Sequence, residues 1–282
     1  MYTLKIISNF KQIMITVSIV TYKTDLEELS RCLQSLESSL ILKIFIVDNS
    51  NQEYIANFCS QYANVTYLGG ENVGYGAGHN RALQQVLNLD VKYHLILNSD
   101  VYFNPMVLGH LMEYMENHND VGQLIPNVTY PNGDIQYVCR LLPTPIDLIF
   151  RRFLPKALSK KINNRFLLQF DDHKHAMNVP FHMGCFMFFR VSALCRVGLF
   201  DESIFMYTED IDITRRVHRH YRTMYWPNVT IVHNHCAASY KNTKMLMIHI
   251  RSAIKYFNKW GWIWDKERKE WNKGLLKSLR YK

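Results

Sequence analysis

Two short acidic groups carry the chemistry this chain could do. The first closes an apolar run, Tyr93-His94-Leu95-Ile96-Leu97-Asn98-Ser99-Asp100. A run of that length, stopping on turn-forming residues, reads as a buried strand, and open α/β sheets bind ligands beyond the carboxyl ends of their strands. Asp100 is therefore placed where a carboxylate meets a ligand; the alternative is an ordinary strand-ending turn. The second group, Thr208-Glu209-Asp210-Ile211-Asp212, is the densest acidic cluster outside the C-terminal segment. A carboxylate within hydrogen-bond reach of an alcohol acts as a general base worth ~10²- to 10⁴-fold. A structural role competes with that one, because Thr208 suits an N-cap and acidic residues are favoured in a first helical turn. The helix dipole would lower a carboxyl pKa there, whereas burial against Phe205, Met206 and Tyr207 would raise it. Asp212 stands at helical spacing from Arg215 and Arg216 and is expected to pair with one of them.

Parallel strands must deliver these groups to one rim. Ile15–Tyr22 and Lys43–Ser50 are further β-branched runs ending on polar residues, and Leu26, Leu29, Leu33 and Leu36 mark an amphipathic helix after Asp25. A helix with Tyr54, Ile55 and Phe58, a strand at Val65–Leu68 and a helix from about Asn80 to Leu89 follow. This alternation predicts an α/β fold with a mostly parallel sheet flanked by helices, in which Thr21, Asp48 and Asp100 share one edge.

Before the third helix lies Asn72-Val73-Gly74-Tyr75-Gly76-Ala77-Gly78-His79-Asn80. Its glycine spacing departs from G-x-G-x-x-G, which counts against a dinucleotide fold. Alternating glycines still permit close backbone approach to a ligand, or simply a flexible loop. Gly184, inside the apolar segment Pro180–Arg190, is either a bulge or such a point of approach.

In order and spacing, Val17–Tyr22, Val47-Asp48-Asn49-Ser50, the glycine segment, Leu97–Asp100 and Met206–Asp212 resemble the family 2 inverting glycosyltransferases of GT-A type, rhamnosyltransferase-like branch. The resemblance spans roughly residues 15 to 240. It implies a Rossmann-like sheet and a nucleotide-sugar donor across the strand tips, with Thr21, Tyr22 and Asp48 near base and ribose. Asn72, Gly74, Gly76, Gly78, Asn80, Asn98 and Gly184 would shape the donor site. It implies Asp210 as base, with Glu209 beside it, and a divalent cation, Mn²⁺ or Mg²⁺, held by Asp100 and by His233 or His235. Such a cation would neutralise the departing diphosphate. One departure is Asn98, where the family's D-x-D has its first carboxylate, so metal affinity is the property in question. The expected reaction moves L-rhamnose from dTDP-rhamnose onto a lipid-linked saccharide in O-antigen or capsule assembly. A UDP-hexose donor, or a non-catalytic binding protein, are the alternatives.

Charge is concentrated at one end. Residues 241–282 hold twelve Lys and Arg against three acidic residues and so account for the whole formal charge of +9; the rest of the chain is balanced. Trp260, Trp262, Trp264 and Trp271 lie there too, and Leu246, Ile250, Ile254 and Phe257 recur at helical spacing opposite Arg251 and Lys255. The pattern suits a helix lying in an anionic lipid interface and equally one docked on the catalytic domain. No groove-reading motif accompanies the charge, which argues against nucleic acid. The domain reading is 1–240, donor half about 15–105 and acceptor half about 106–240, followed by a helical tail at 241–282. The Pro-containing stretch 140–178 breaks the rhythm and is expected to cover the acceptor side, with His173 and His175 solvated. No apolar run approaches the ~20 residues of a membrane span and no secretory pattern opens the chain, so the expectation is a cytoplasmic protein peripheral to the membrane. Six cysteines without a C-x-x-C pair read as reduced thiols.

Overall fold

The computed structural model describes residues 14–150, 154–234 and 243–281. Parallel strands β1 (Ile15–Thr21), β2 (Ile41–Asp48), β3 (Val65–Gly69) and β4 (Tyr93–Leu97) alternate with helices α1 (Leu26–Gln34), α2 (Glu53–Cys59) and α3 (Tyr75–Val86). The short β5 (Val101–Tyr102) and helix α4 (Met106–Asn117) lead to β6 (Val121–Thr129). Then come β7 (Cys139–Arg140), α5 (Pro145–Leu148), α6 (Lys156–Phe166), β8 (Met177–Asn178), β9 (Phe181–His182) and β10 (Phe186–Arg190). Helices α7 (Val191–Val197) and α8 (Glu209–His218), strand β11 (Arg222–His233), and helices α9 (Thr243–Trp260) and α10 (Lys266–Ser278) complete the chain.

The main sheet runs β3-β2-β1-β4-β10-β6-β11-β5, with β8 beside β11, while β7 and β9 form a small second sheet. The α/β, mostly parallel expectation holds, with one informative exception. β10 is antiparallel to both β4 and β6. An antiparallel strand brings its beginning to the rim where its neighbours end. Phe186 thus lies opposite Leu97, and Gly184 and Cys185 arrive next to Asn98. At the far side, β11 ends with His233 opposite Val101.

Leu29, Leu33 and Leu36 are buried as their spacing requires, and the Asp25 carboxylate caps α1 by accepting from the Glu27 and Glu28 amides. The third helix starts five residues earlier than expected, at Tyr75. Gly76 and Gly78 are therefore helical: a Cβ at Gly78 would come 3.0 Å from Val20 and one at Gly76 would press on Phe200. Their smallness lets α3 sit on the sheet. A polar line fixes the same contact, since Ser18 Oγ meets His79 Nδ1 at 2.7 Å and His94 Nε2 at 2.8 Å, and Thr16 meets His94 Nδ1 at 2.9 Å. Burial pulls both imidazoles down, His94 to about 3, so they pair as neutral rings.

The 140–178 stretch contains α5 and α6 and packs Leu141, Leu142, Phe166 and Leu168 into the main core. His173 is buried rather than solvated, because its Nε2 meets Leu168 O at 3.0 Å and its ring lies between Tyr137 and Tyr225. His175 is half exposed. Cys32, Cys59, Cys139 and Cys185 are buried free thiols and Cys195 is exposed; Cys236 lies outside the described residues.

Candidate active site

Asp210 and Glu209 open α8, where the dipole and the burial arguments compete, and burial wins. Removal from water pushes both carboxyls above the usual carboxylate range. Repulsion from Asp210 adds to the effect on Glu209. For Asp210 the Arg140 guanidinium and the amides of Ile211 and Gly184 work in the opposite direction, favouring its anion. The Gly184 amide donates to Asp210 Oδ2 at 3.0 Å, and a Cβ on Gly184 would come 3.2 Å from the Asp210 Cβ. The absence of a side chain at Gly184 lets the Asp210 carboxylate sit against the strand's entry. Thr208 precedes the helix without capping it; its hydroxyl donates to Ser252 O of α9 at 3.2 Å. Of the two arginines expected for Asp212, Arg216 takes it, at 2.9 Å, together with Lys259 and the Trp260 indole. Arg215 turns to Asp265 instead.

From Asp210 a connected path crosses to the other acidic group. The Tyr75 hydroxyl lies 2.7 Å from Gly184 O and 2.9 Å from Asn98 Oδ1, and the Asn98 amide donates to Cys185 O at 3.0 Å. Two residues on, Asp100 Oδ1 lies 3.2 Å from His233 Nε2. The two clusters far apart in sequence thus meet on one rim of the sheet.

His233 is held in a fixed orientation. The Gln136 amide nitrogen donates to His233 O at 2.6 Å, which fixes Gln136 Oε1 against His233 Nδ1 at 2.9 Å. An amide oxygen only accepts, so Nδ1 carries its proton and Nε2 is left facing Asp100 for either a second proton or a cation. Burial disfavours charge on the ring, but Cys185 and Asp100 outweigh it and raise its pKa to about 10. An oxygen and a nitrogen donor side by side fit a divalent cation of the Mn²⁺ type. His235 lies outside the described residues. Among the described residues, Asp171, Asp172 and His175 also come within metal-ligand distance of one another, on an exposed surface.

Several donor-side expectations land on structural duties. Asp48 is fully buried and its oxygens accept from Ser50, Gln52, Thr21 and the Tyr67 hydroxyl. Burial acts to raise its pKa, yet these donors more than offset that and hold it below the usual range. Asn80 binds Phe200 by both amide and carbonyl and reaches Glu202, so it ties α3 to the loop before α8. Gly74 adopts φ +95°, and the Tyr75 amide donates to Phe205 O at 2.9 Å. Asn72 accepts from the Gly74 amide and is otherwise exposed; Tyr22 is 54% exposed at the tip of β1. Thr21 is buried. Tyr22 and Asn72 are thus open to a ligand, while Asp48 closes the turn after β2 and Gly76, Gly78 and Asn80 seat α3 against its neighbours. Tyr75, Arg140 and Gln136 were missed: Tyr75 sits inside the glycine segment, where the glycines drew the reading, and Arg140 and Gln136 lie outside any motif and carry no local signal.

An α/β sheet that brings a carboxylate–histidine pair and a buried acid group to one rim fits a nucleotide-sugar glycosyltransferase. A family model described as Glycosyl transferase family 2 matches residues 16–198, and the chain belongs to that family. It is 25% identical over 239 residues to the N-acetylglucosaminyl-diphospho-decaprenol L-rhamnosyltransferase of Mycobacterium tuberculosis, covering 76% of each chain. It is 27% identical over 222 residues to rhamnosyltransferase WbbL of Escherichia coli K12, covering 76% of this chain and 81% of that one. The fold is shared with GalNAc-T7, solved with UDP, GalNAc and Mn²⁺, at TM-score 0.64 and 13% identity over 92% of this chain and 49% of that one. The chain is rhamnosyltransferase-like at low identity, with a GT-A fold.

Proposed function

We propose that this protein transfers one sugar, with inversion, from a nucleotide-diphosphate donor to a lipid-linked saccharide during surface polysaccharide assembly, at the cytoplasmic face of the membrane. L-rhamnose from dTDP-rhamnose is the donor favoured by the two named relatives. The observation that carries the reading is the connected path from Asp210 through Gly184, Tyr75 and Asn98 toward Asp100 and His233. Asp210 takes the proton from the acceptor hydroxyl as its oxygen attacks the anomeric carbon. Glu209, alongside, keeps its proton to higher pH and binds or orients the acceptor. Asp100 and His233 would hold a divalent cation that neutralises charge on the leaving diphosphate. Tyr22 and Asn72 face the donor. No helix of the described residues is long and apolar enough to cross a membrane, and we assign membrane contact to the basic C-terminal segment.

A panel of dTDP- and UDP-sugars, scored by product mass on a lipid-linked acceptor with and without EDTA, tests sugar, nucleotide and cation together. Turnover is expected with dTDP-rhamnose, lost in EDTA and restored by Mn²⁺. Turnover only with a UDP-hexose would replace the donor assignment, and full activity in EDTA would remove the cation from it.

A further inference from the structure

We propose that the turn joining α9 to α10, together with the lysine face of α10, is the surface that rests on an anionic bilayer. This rests on the membrane contact assigned above and moves it from the stripe on α9 to the turn that follows. The apolar stripe of α9 is divided: Phe257 is buried in the main core beside Ala253 and Tyr256, while Ile254 is 39% exposed. The turn is the reverse case. Ile263 is 77% and Trp264 91% exposed, the two most exposed large apolar side chains among the described residues. They are held out on a rigid base. The Arg268 guanidinium donates to the carbonyls of Pro143, Gly261, Trp262 and Ile263 at 3.0–3.3 Å, and Asp265 caps α10 while bonding the buried Arg215.

Lys266, Lys269, Lys273 and Lys277 fall within about 80° of one another around the helix at 100° per residue. They line, with Trp264 and Ile263, an open groove of about 1060 Å³. Of the acidic residues of this region, Asp265 and Glu267 are taken up by Arg215 and Arg219, while Glu270 borders the lysine face, 3.9 Å from Lys266. A tryptophan and an isoleucine at a tip, flanked by a stripe of cations, match the layering of a headgroup region over acyl chains.

Flotation on phosphatidylcholine vesicles with and without phosphatidylglycerol tests it. The full chain is expected to float only with the anionic lipid. Trp264→Ser with Ile263→Ser should lower partitioning about tenfold, and each lysine changed to Gln by roughly fivefold. Trp fluorescence should shift to the blue on binding, and lose that shift in Trp264→Phe. If Leu246→Ser with Ile250→Ser abolishes binding while the turn variants float normally, the location is wrong and the membrane reading stands. If the unaltered chain ignores anionic vesicles, both fall.

A second inference rests on a different observation. We infer that Tyr75 is a positioning residue linking the donor-side turn to the base. Its single hydroxyl proton faces two acceptors, Gly184 O and Asn98 Oδ1. Turning the Asn98 amide lets its nitrogen donate to Tyr75 while Tyr75 donates to Gly184, and both are satisfied. A carboxylate at position 98 has no proton to give, which supplies a reason for asparagine there. Because the Gly184 amide holds Asp210, loosening Gly184 loosens the base. Tyr75→Phe is expected to lower kcat about tenfold, the worth of one buried hydrogen bond, with donor KM unchanged and the acidic limb of the pH–rate profile moved to higher pH. A rise in donor KM at unchanged kcat, or a fall in Tm with both constants intact, would overturn it.

Discussion

Asp210→Asn is expected to lower kcat by about 10²- to 10⁴-fold while donor binding, measured by calorimetry, is retained. The substitution preserves shape. The amide oxygen still accepts from Gly184, so the rim keeps its geometry, but the side chain can no longer take a proton. Equal turnover by the two proteins would remove the catalytic assignment and leave a sugar-nucleotide binding protein.

The pH dependence gives the same claim a second test. Both carboxyls stand above the usual range through burial, Glu209 further than Asp210, because Arg140 and two amides favour the Asp210 anion. On a falling proton concentration Asp210 ionises first, and the base works only when ionised. kcat should therefore rise with pH along a limb lying above the ordinary carboxylate value of about 4. Glu209 is still protonated while Asp210 ionises and so does not repel its anion; Glu209→Gln should therefore leave that limb in place. Stability follows the opposite course. Two acids whose folded pKa values are raised stabilise the fold fully below about pH 4, and that contribution is lost as pH rises through the folded values. Asp210→Asn should thus be the more stable protein on the alkaline side, read by urea unfolding at pH 5 and pH 9.

What the sequence revealed divides along the range of the forces involved. β1, β2 and β4 were legible because apolar runs ending on polar residues report burial directly, and their parallel pairing puts Thr21, Asp48 and Asn98 on one rim. The helix at Tyr75 was mistaken for a loop because glycine is read as a breaker. Here Gly76 and Gly78 are small because Phe200 and Val20 lie against them, a long-range fact. Asp48 read as a donor-site residue, and no local pattern signalled that it is also the acceptor around which the 48–52 turn closes. The antiparallel β10 was invisible, since no local pattern records strand direction. It is nevertheless what sets Gly184 between Asp210 and Asn98. Thr208 shows the same limit: the residue type predicts a cap, but α9 offers the hydroxyl a carbonyl, and that contact is written 44 residues away.

Arg215→Ala is expected to cost about 3–5 kcal/mol in stability, measured by urea unfolding at neutral pH. The guanidinium is 1% exposed, bonds Asp265 at 2.6 and 2.7 Å and Glu267 at 2.9 Å, and lies 4.1 Å from the centre of the Trp260 ring. Through it α8, which carries Asp210 in its first turn, is fastened to the start of α10. Truncation leaves Asp265 buried with a charge and without its main partner, and that residual charge dominates the loss. Burial raises the Asp265 pKa, but Arg215 and the Arg268 amide more than reverse this, so its folded value lies below the unfolded one. Its contribution is therefore present above about pH 4 and lost as pH falls through the folded value. The Arg215→Ala protein should show a flatter acid limb than the unaltered protein. In the double variant Arg215→Met, Asp265→Leu the buried charge is gone, and much of the loss should be recovered. Additive losses in the two single variants would mean that packing on Trp260, rather than the ion pair, fastens α8 to α10.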